Sequence, residues 1–155
     1  MKVDIVDDNI IVFLNKYLTK DLDYNDSKVL EIELKKIFDR LEYLYNIKIK
    51  GYYDIYIYID NNYGIVMELV SDSIDYMDYD EVIDMKIIVN NVKLLYKVDD
   101  IINIDIPYKV YLYKNNLYLD IDSIDNIGLG NLLEHSNIIY KNVDEIRYYG
   151  HILKK

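Results

Sequence analysis

Residues 51–70, GYYDIYIYIDNNYGIVMELV, alternate in character on both sides of an Asn-Asn-Tyr-Gly segment. Successive strand residues point to opposite faces, so Ile55, Ile57 and Met67 share one apolar face. The opposite face carries tyrosines and aspartates: Tyr52, Asp54, Tyr56, Tyr58 and Asp60. Asn and Gly tolerate the positive φ angles of tight turns. The stretch therefore predicts a β-hairpin with one face on a helix and a tyrosine face that is half exposed or covered by a partner.

The helix that would cover this hairpin is predicted at residues 27–45, SKVLEIELKKIFDRLEYLY. Asn25, Asp26 and Ser27 offer side-chain oxygens that could cap its first N–H groups. Apolar side chains recur at helical spacing along it: Leu30, Leu34, Ile37, Phe38, Leu41, Leu44 and Tyr45. We expect Leu34, Ile37, Phe38 and Leu41 to pack against the apolar face of the hairpin.

The remaining pattern predicts further short elements around these two. Alternating apolar residues on either side of Asp7-Asp8-Asn9 indicate an opening hairpin. A second tyrosine-bearing hairpin is expected at 110–121, around an Asn-Asn turn at residues 115 and 116. Beyond it we expect a short helix at 131–135, a strand at 138–140, a helix at 142–150 and a last strand at 151–153. In the 142–150 helix, Asn142 is expected as the N-cap and Gly150 as the residue after the C-terminus.

These elements define an α+β protein in which antiparallel β-hairpins pack against α-helices, in one compact unit or two closely joined α/β halves. Residues 1–70 form a strand-helix-hairpin unit in this prediction, and residues 85–155 a hairpin and short-helix unit. Between them, residues 71–84 contain five aspartates and one glutamate and break the periodicity. We interpret this segment as an acidic linker or surface segment.

The charge and composition of the chain argue against nucleic-acid binding and against a membrane-spanning protein. The formal net charge is −10, and the 18 basic residues are scattered, so binding to nucleic acid is not expected. There is no cysteine and no apolar stretch of about 20 residues that could span a membrane. We expect a soluble, cytoplasmic protein that binds no membrane.

The residues that could carry chemistry do not form a recognisable site. Asp120, Asp122 and Asp125 fail the calcium-loop spacing, because neither the glycine nor the final glutamate of that loop is present. His135 and His151 have no further ligand at metal-binding spacing. The Gly128-Leu129-Gly130 stretch lacks the third glycine of a phosphate-binding loop, and we expect it to interrupt a helix. The sequence predicts no catalytic residue, no metal and no cofactor.

The 19 tyrosines leave two interpretations open. They pack across strands inside the protein, or they form a protein-binding face, since tyrosine is enriched in interface hot spots. Under the second interpretation, the partner-binding tyrosines are those of the two hairpins: Tyr52, Tyr56, Tyr58, Tyr111, Tyr113 and Tyr118. Two acidic residues, Glu134 and Glu145, would steer a basic partner.

The order of elements resembles the MecA-type adaptor proteins of Gram-positive bacteria. The resemblance is carried by MKVDIVDDNIIVFL, LKKIFDRLEYLYNIKIKG and YYDIYIYIDNNYGIVMEL in the N-terminal half. In the C-terminal half it is carried by VDDIINI, VYLYKNNLYLDID and NLLEHSNIIYKNVDEIRYYGHILKK. This resemblance implies a non-enzymatic adaptor whose N-terminal part binds a client protein and whose C-terminal part docks on a Clp-type AAA+ unfoldase. The alternative is a small acidic inhibitor or antitoxin-like module of phage, plasmid or host origin.

Overall fold

The computed structural model describes residues 1–71, 83–100 and 107–154, with the side chain of residue 154 left out of the description. The strands are β1 (Lys2–Val6), β2 (Asn9–Asn15), β3 (Gly51–Asp60), β4 (Gly64–Ser71), β5 (Ile83–Asn91), β6 (Leu95–Val98), β7 (Tyr108–Tyr113), β8 (Asn116–Ile121), β9 (Ser136–Ile139) and β10 (His151–Lys154). The helices are α1 (Lys16–Thr19), α2 (Ser27–Tyr45), α3 (Asn126–Glu134) and α4 (Val143–Tyr149). The predicted α+β class with antiparallel hairpins is confirmed.

The chain divides into two compact units. The first contains residues 1–59 and 64–90, and the second contains residues 60–63 and 91–155. The described strand β5 therefore belongs to the first unit, although the sequence interpretation began the second unit at residue 85. The predicted acidic segment at 71–84 begins at the last residue of β4 and ends inside β5. Its residues 72–82 lie outside the described part of the chain.

The first unit is a sheet of order β1-β2-β4-β3-β5 with α2 packed on one face. Helix α2 runs from Ser27 to Tyr45 as predicted, and the Asp26 side chain accepts hydrogen bonds from the N–H groups of Lys28 and Val29. The buried residues of α2 form one core with the apolar face of the sheet: Leu30, Leu34, Phe38 and Leu41 with Ile55, Ile57, Ile65 and Met67. Ile37 is partly buried against this core. The expected packing of the helix on the hairpin is confirmed.

The second unit is a sheet of order β10-β7-β8-β6-β9, in which every one of these four pairings is antiparallel. Helix α4 covers one face. Its residues Val143 and Ile146 share a core with Leu95, Tyr111 and Tyr118. The opposite face of the sheet is also buried, at Tyr96, Val110 and Leu119.

The β7–β8 turn differs from the expected one. Tyr113 pairs with Asn116, so the two central residues are Lys114 and Asn115, with φ angles of 47° and 63°. Positive φ at both central residues is the requirement of a type I′ hairpin turn, whose twist matches that of the strands. This turn places Lys114 at the hairpin tip, where the sequence interpretation had placed only a polar loop.

One prediction for the C-terminal helices was wrong. Gly128 and Gly130 do not interrupt a helix but lie inside α3, because the Asp125 side chain caps its N-terminus and Leu129 and Leu132 are buried. These contacts outweigh the roughly 1 kcal/mol that each helical glycine costs relative to alanine.

Helix α4 is flanked by Asn142 at its N-cap position and by Gly150 directly after its C-terminus, as predicted, but neither residue makes the local interaction expected of it. Asn142 precedes it in a left-handed conformation, φ 60°, and its side chain makes no capping bond within the described residues. Gly150 has a φ of −66°, so its role is not a left-handed C-terminal turn. It is needed for space instead, since a Cβ atom there would lie 3.2 Å from the Cβ of Tyr111.

Candidate functional site

Described residues of the second unit line two recesses, each built from different loops. The first, which we call the groove, has a volume of about 360 Å³ and lies between the β7–β8 hairpin, the end of β9 and the start of α4. The second, which we call the acidic recess, has a volume of about 440 Å³ and lies between the end of β6 and the end of α3. Both volumes fall within the roughly 300–1,000 Å³ that is common for ligand pockets.

The groove has an apolar floor and a charged rim. Tyr118 and Ile146 at its floor are buried, and Tyr113 and Ile138 beside them are half-buried. The exposed residues around the floor are polar or charged: Lys114, Lys141, Asn142 and Glu145. Apolar side chains of a bound segment could therefore enter the groove while its polar groups stay near the rim.

Two Tyr-Lys dipeptides contribute to the groove from different loops. The ammonium of Lys114 lies 5.2 Å from the ring centroid of Tyr113, and that of Lys141 lies 5.7 Å from the ring centroid of Tyr140. Both distances are within the range of cation–π attraction, which is about 6 Å. The rings therefore restrict where the two ammonium groups lie relative to the groove.

The acidic recess has a different lining. Asp99, Asp100 and Glu134 bring three carboxylates to it, and Lys97 brings one ammonium group. His135 completes this charged and titratable set. In the described ranges, however, no group of three or more His, Cys, Asp or Glu side chains is arranged to hold a metal ion.

An ionic network around the buried Asp120 fixes α4 on the sheet beside the groove. Arg147 of α4 donates from Nε to Oδ2 of Asp120 at 3.1 Å and from an Nη atom to the carbonyl oxygen of Lys93 at 2.7 Å. The ammonium of Lys93 lies 3.0 Å from Oδ1 of Asp120 and also pairs with Asp122. A buried carboxylate requires such partners, because an isolated buried charge is strongly unfavourable.

The network also sets the pKa values of its members. Burial alone would raise the pKa of Asp120, but the hydrogen bonds and charges of Arg147 and Lys93 outweigh burial and hold this pKa below its ordinary value of 3.8. Burial alone would lower the pKa of Lys93, but its bonds to Asp122 and Asp120 outweigh burial and raise it. Each ionised group therefore stabilises the other.

A second buried carboxylate organises the segment at 60–63 within the same unit. Oδ2 of Asp60 accepts hydrogen bonds from the N–H groups of Asn62 and Tyr63, at 2.9 and 2.8 Å. Its Oδ1 accepts a third bond from the N–H of Leu94 at 3.0 Å. Asp60 therefore holds the segment in place and is not available as a reactive group.

Tyr63 and Tyr96 are buried in the second unit. Burial raises the pKa of Tyr63 to about 12. Burial, and then the nearby Asp60 and Tyr63, raise the pKa of Tyr96 well above its ordinary value of 10.0. The Tyr96 hydroxyl has no hydrogen-bond partner within the described part of the chain. Both phenols therefore stay protonated at neutral pH.

The predicted partner-binding residues are divided among several positions. Tyr113, Tyr118 and Glu145 line the groove, whereas Glu134 lines the acidic recess. Tyr111 is buried under α4, where it pairs across the strands with Tyr118. Tyr52, Tyr56 and Tyr58 are half-buried in β3, away from these recesses along the chain. The buried positions of Tyr111 and Tyr118 favour the packing interpretation for those two.

Sequence reasoning missed the lysines of the groove. The repeated Tyr-Lys dipeptides at 113–114 and 140–141 were a visible signal, but nothing in the sequence indicated that they face one groove. Among the described helices, none is long and apolar enough to cross a membrane. Comparison with protein-family models, curated proteins and solved structures found no match.

Proposed function

We propose that the chain is a non-enzymatic adaptor that binds a client protein and presents it to a Clp-type AAA+ unfoldase. The observation that supports this proposal is the presence of two recesses of opposite character on one unit. An adaptor works by raising the effective concentration of one partner near another, so it needs two docking places and no reactive group. The resemblance to MecA-type adaptors supplies the identity of the proposed unfoldase.

In this proposal the acidic recess docks the unfoldase. Its three carboxylates and one lysine would attract a basic surface and steer it during encounter. Glu134 is exposed at the last position of α3, so it can contact a partner without opening the fold. Glu145, which the sequence interpretation grouped with Glu134, lies instead beside the lysines of the groove.

The test is capture of the Clp-type ATPase of the same organism by the tagged full chain, in the presence of ATP. Wild type should capture it, and a double variant Asp99→Lys, Glu134→Lys should bind about tenfold more weakly because two attractive charges become repulsive. A lysine at the end of a helix is favourable, so the Glu134 change should not unfold α3. Circular dichroism checks the fold.

The matched control is Glu42→Lys, which makes the same charge reversal at an exposed position of α2. It should capture the ATPase as well as wild type does. Absence of any AAA+ protein in the wild-type capture would refute the proposal. Recovery of one other enzyme in stable complex, inhibited by the chain, would favour the inhibitor alternative instead.

A further inference from the structure

The groove differs in charge from the protein that contains it. The chain has a formal net charge of −10, yet the groove is lined by two lysines and one glutamate. In an acidic protein, a local excess of positive charge attracts basic ligands less and carboxylates more than the surrounding surface does. Charge complementarity therefore points to an acidic occupant.

The floor of the groove adds an apolar requirement. Tyr118 and Ile146 are buried there, and Tyr113, Ile138 and Ile139 are half-buried around them. Aliphatic and aromatic side chains of a ligand would replace water over the three half-buried residues, which is favourable in proportion to the apolar area removed from water. A volume of about 360 Å³ accommodates a short segment and not a folded domain.

We propose that the groove binds a client segment in which one or two aliphatic or aromatic side chains are flanked by carboxylates. The apolar side chains lie on the half-buried Tyr113, Ile138 and Ile139. The flanking carboxylates meet the ammonium groups of Lys114 and Lys141. Glu145 opposes this ligand, so it lowers affinity for acidic segments. This inference rests on the proposed adaptor function, because it identifies the chemistry of the client. It places the client on the second unit, whereas the resemblance implies client binding by the N-terminal part.

The probes are three synthetic hexapeptides carrying a fluorescent label. One has a central Leu-Tyr pair with two aspartates on each side, the second replaces the aspartates with lysines, and the third replaces Leu-Tyr with Ser-Ser. Fluorescence anisotropy gives the affinity of each for the full chain. The aspartate peptide should bind at least about tenfold more tightly than either of the others. It alone combines apolar side chains for the groove with carboxylates that pair with the lysines.

Variants of the groove test the placement. Lys114→Asn should weaken binding of the aspartate peptide by about fivefold, and Asn suits the positive φ of that turn position. Lys141→Gln should weaken it by a similar factor. Glu145→Gln should tighten it, because the repulsive charge is removed. Lys35→Gln, an exposed change on α2, is the control and should leave affinity unchanged.

Two results would overturn the inference: the lysine peptide binds as tightly as the aspartate peptide, or Lys114→Asn and Lys141→Gln both bind like wild type while folded by circular dichroism. The outcome for the adaptor is separate. If wild type captures the ATPase but not the aspartate peptide, the inference about the groove fails alone. If wild type binds the peptide but captures no AAA+ protein, the adaptor function fails and the groove assignment stands.

Discussion

The two tyrosine-bearing hairpins show opposite uses of the same residue. In β3–β4, Ile55 and Ile57 face α2, while Tyr56 on the opposite face is half-buried. In β7–β8, Tyr111 and Tyr118 themselves face α4 and belong to the core. Both hairpins follow a period of two along the chain. The comparison shows that Tyr111 and Tyr118 are core residues under α4, whereas Tyr56 lies half-buried on the face of its sheet that α2 does not cover.

The largest expected effect tests the core of the first unit. Phe38→Ala removes a buried ring from the packing of α2 on the sheet and should lower the free energy of unfolding by about 3–5 kcal/mol, because a cavity remains. Chemical denaturation measures the change. Tyr43→Ala on the same helix, where the side chain is 88% exposed, should change it by less than about 0.5 kcal/mol. Similar losses for both variants would contradict the packing of α2.

A second experiment compares the two kinds of tyrosine directly. Tyr118→Ala should lower the free energy of unfolding by about 3 kcal/mol, since a buried aromatic side chain is lost from under α4. Tyr56→Ala should lower it by about 1 kcal/mol, because its side chain is half-buried. Denaturant titrations of the two variants, made under the same conditions, give the difference. Equal losses would mean that the two hairpins do not differ as described.

The sequence predicted the first unit better than the second for a physical reason. The bounds of α2 agree residue for residue, because an N-cap residue, a long apolar stripe and a following Asn with positive φ all act locally. In the second unit, β6 lies between β8 and β9, which are distant from it along the chain. Short strands of four residues leave too little periodicity to predict such pairings.

The groove could be predicted only in part. Tyr113, Tyr118 and Glu145 were candidates from residue type alone, but the sequence placed them with Tyr111 and Glu134, which lie elsewhere. Their convergence depends on the strand register and on the position of α4. That position is fixed by Arg147 and Asp120, which are 27 residues apart in sequence. A pattern of residue types contains no information about such a pair.

A third prediction concerns Gly64, the glycine that follows the turn of the β3–β4 hairpin. Gly64 has a φ of +134°, and a Cβ atom there would lie 2.4 Å from the carbonyl oxygen of Leu14. Gly64→Ala should therefore lower the free energy of unfolding by about 2 kcal/mol through backbone strain. Gly130→Ala is the contrasting variant, because no atom lies within 4 Å of its added Cβ and alanine favours the helix.

Thermal unfolding measures both variants. Gly130→Ala should raise the melting temperature, by an amount that corresponds to about 0.5–1 kcal/mol, while Gly64→Ala lowers it. A Gly64→Ala protein as stable as wild type would mean that the close approach of residue 64 to the neighbouring strand β2 is not as described. The two variants thus distinguish a glycine that the backbone conformation requires, Gly64, from one that alanine can replace inside a helix, Gly130.

The smallest expected effect is a change in the pH dependence of stability and concerns the ionic network of the second unit. The pKa of Asp120 is lower in the folded protein than its ordinary value of 3.8, because Arg147 and Lys93 stabilise the carboxylate. Its ionised form therefore stabilises the fold fully above about pH 4, and this contribution is lost as the pH falls through the lowered pKa.

Asp120→Asn removes this titration while keeping the shape of the side chain. Its free energy of unfolding, measured by denaturation between pH 7 and pH 2, should be lower than that of wild type at neutral pH but should fall less steeply below about pH 4. Asp144→Asn removes one negative charge from an exposed position of α4 and serves as the control. The difference between the two variants in how the free energy of unfolding falls below about pH 4 is therefore due to Asp120. If the free energy of unfolding of wild type and of Asp120→Asn fell equally steeply below about pH 4, the pair of Asp120 with Arg147 would not hold α4 on the sheet in solution.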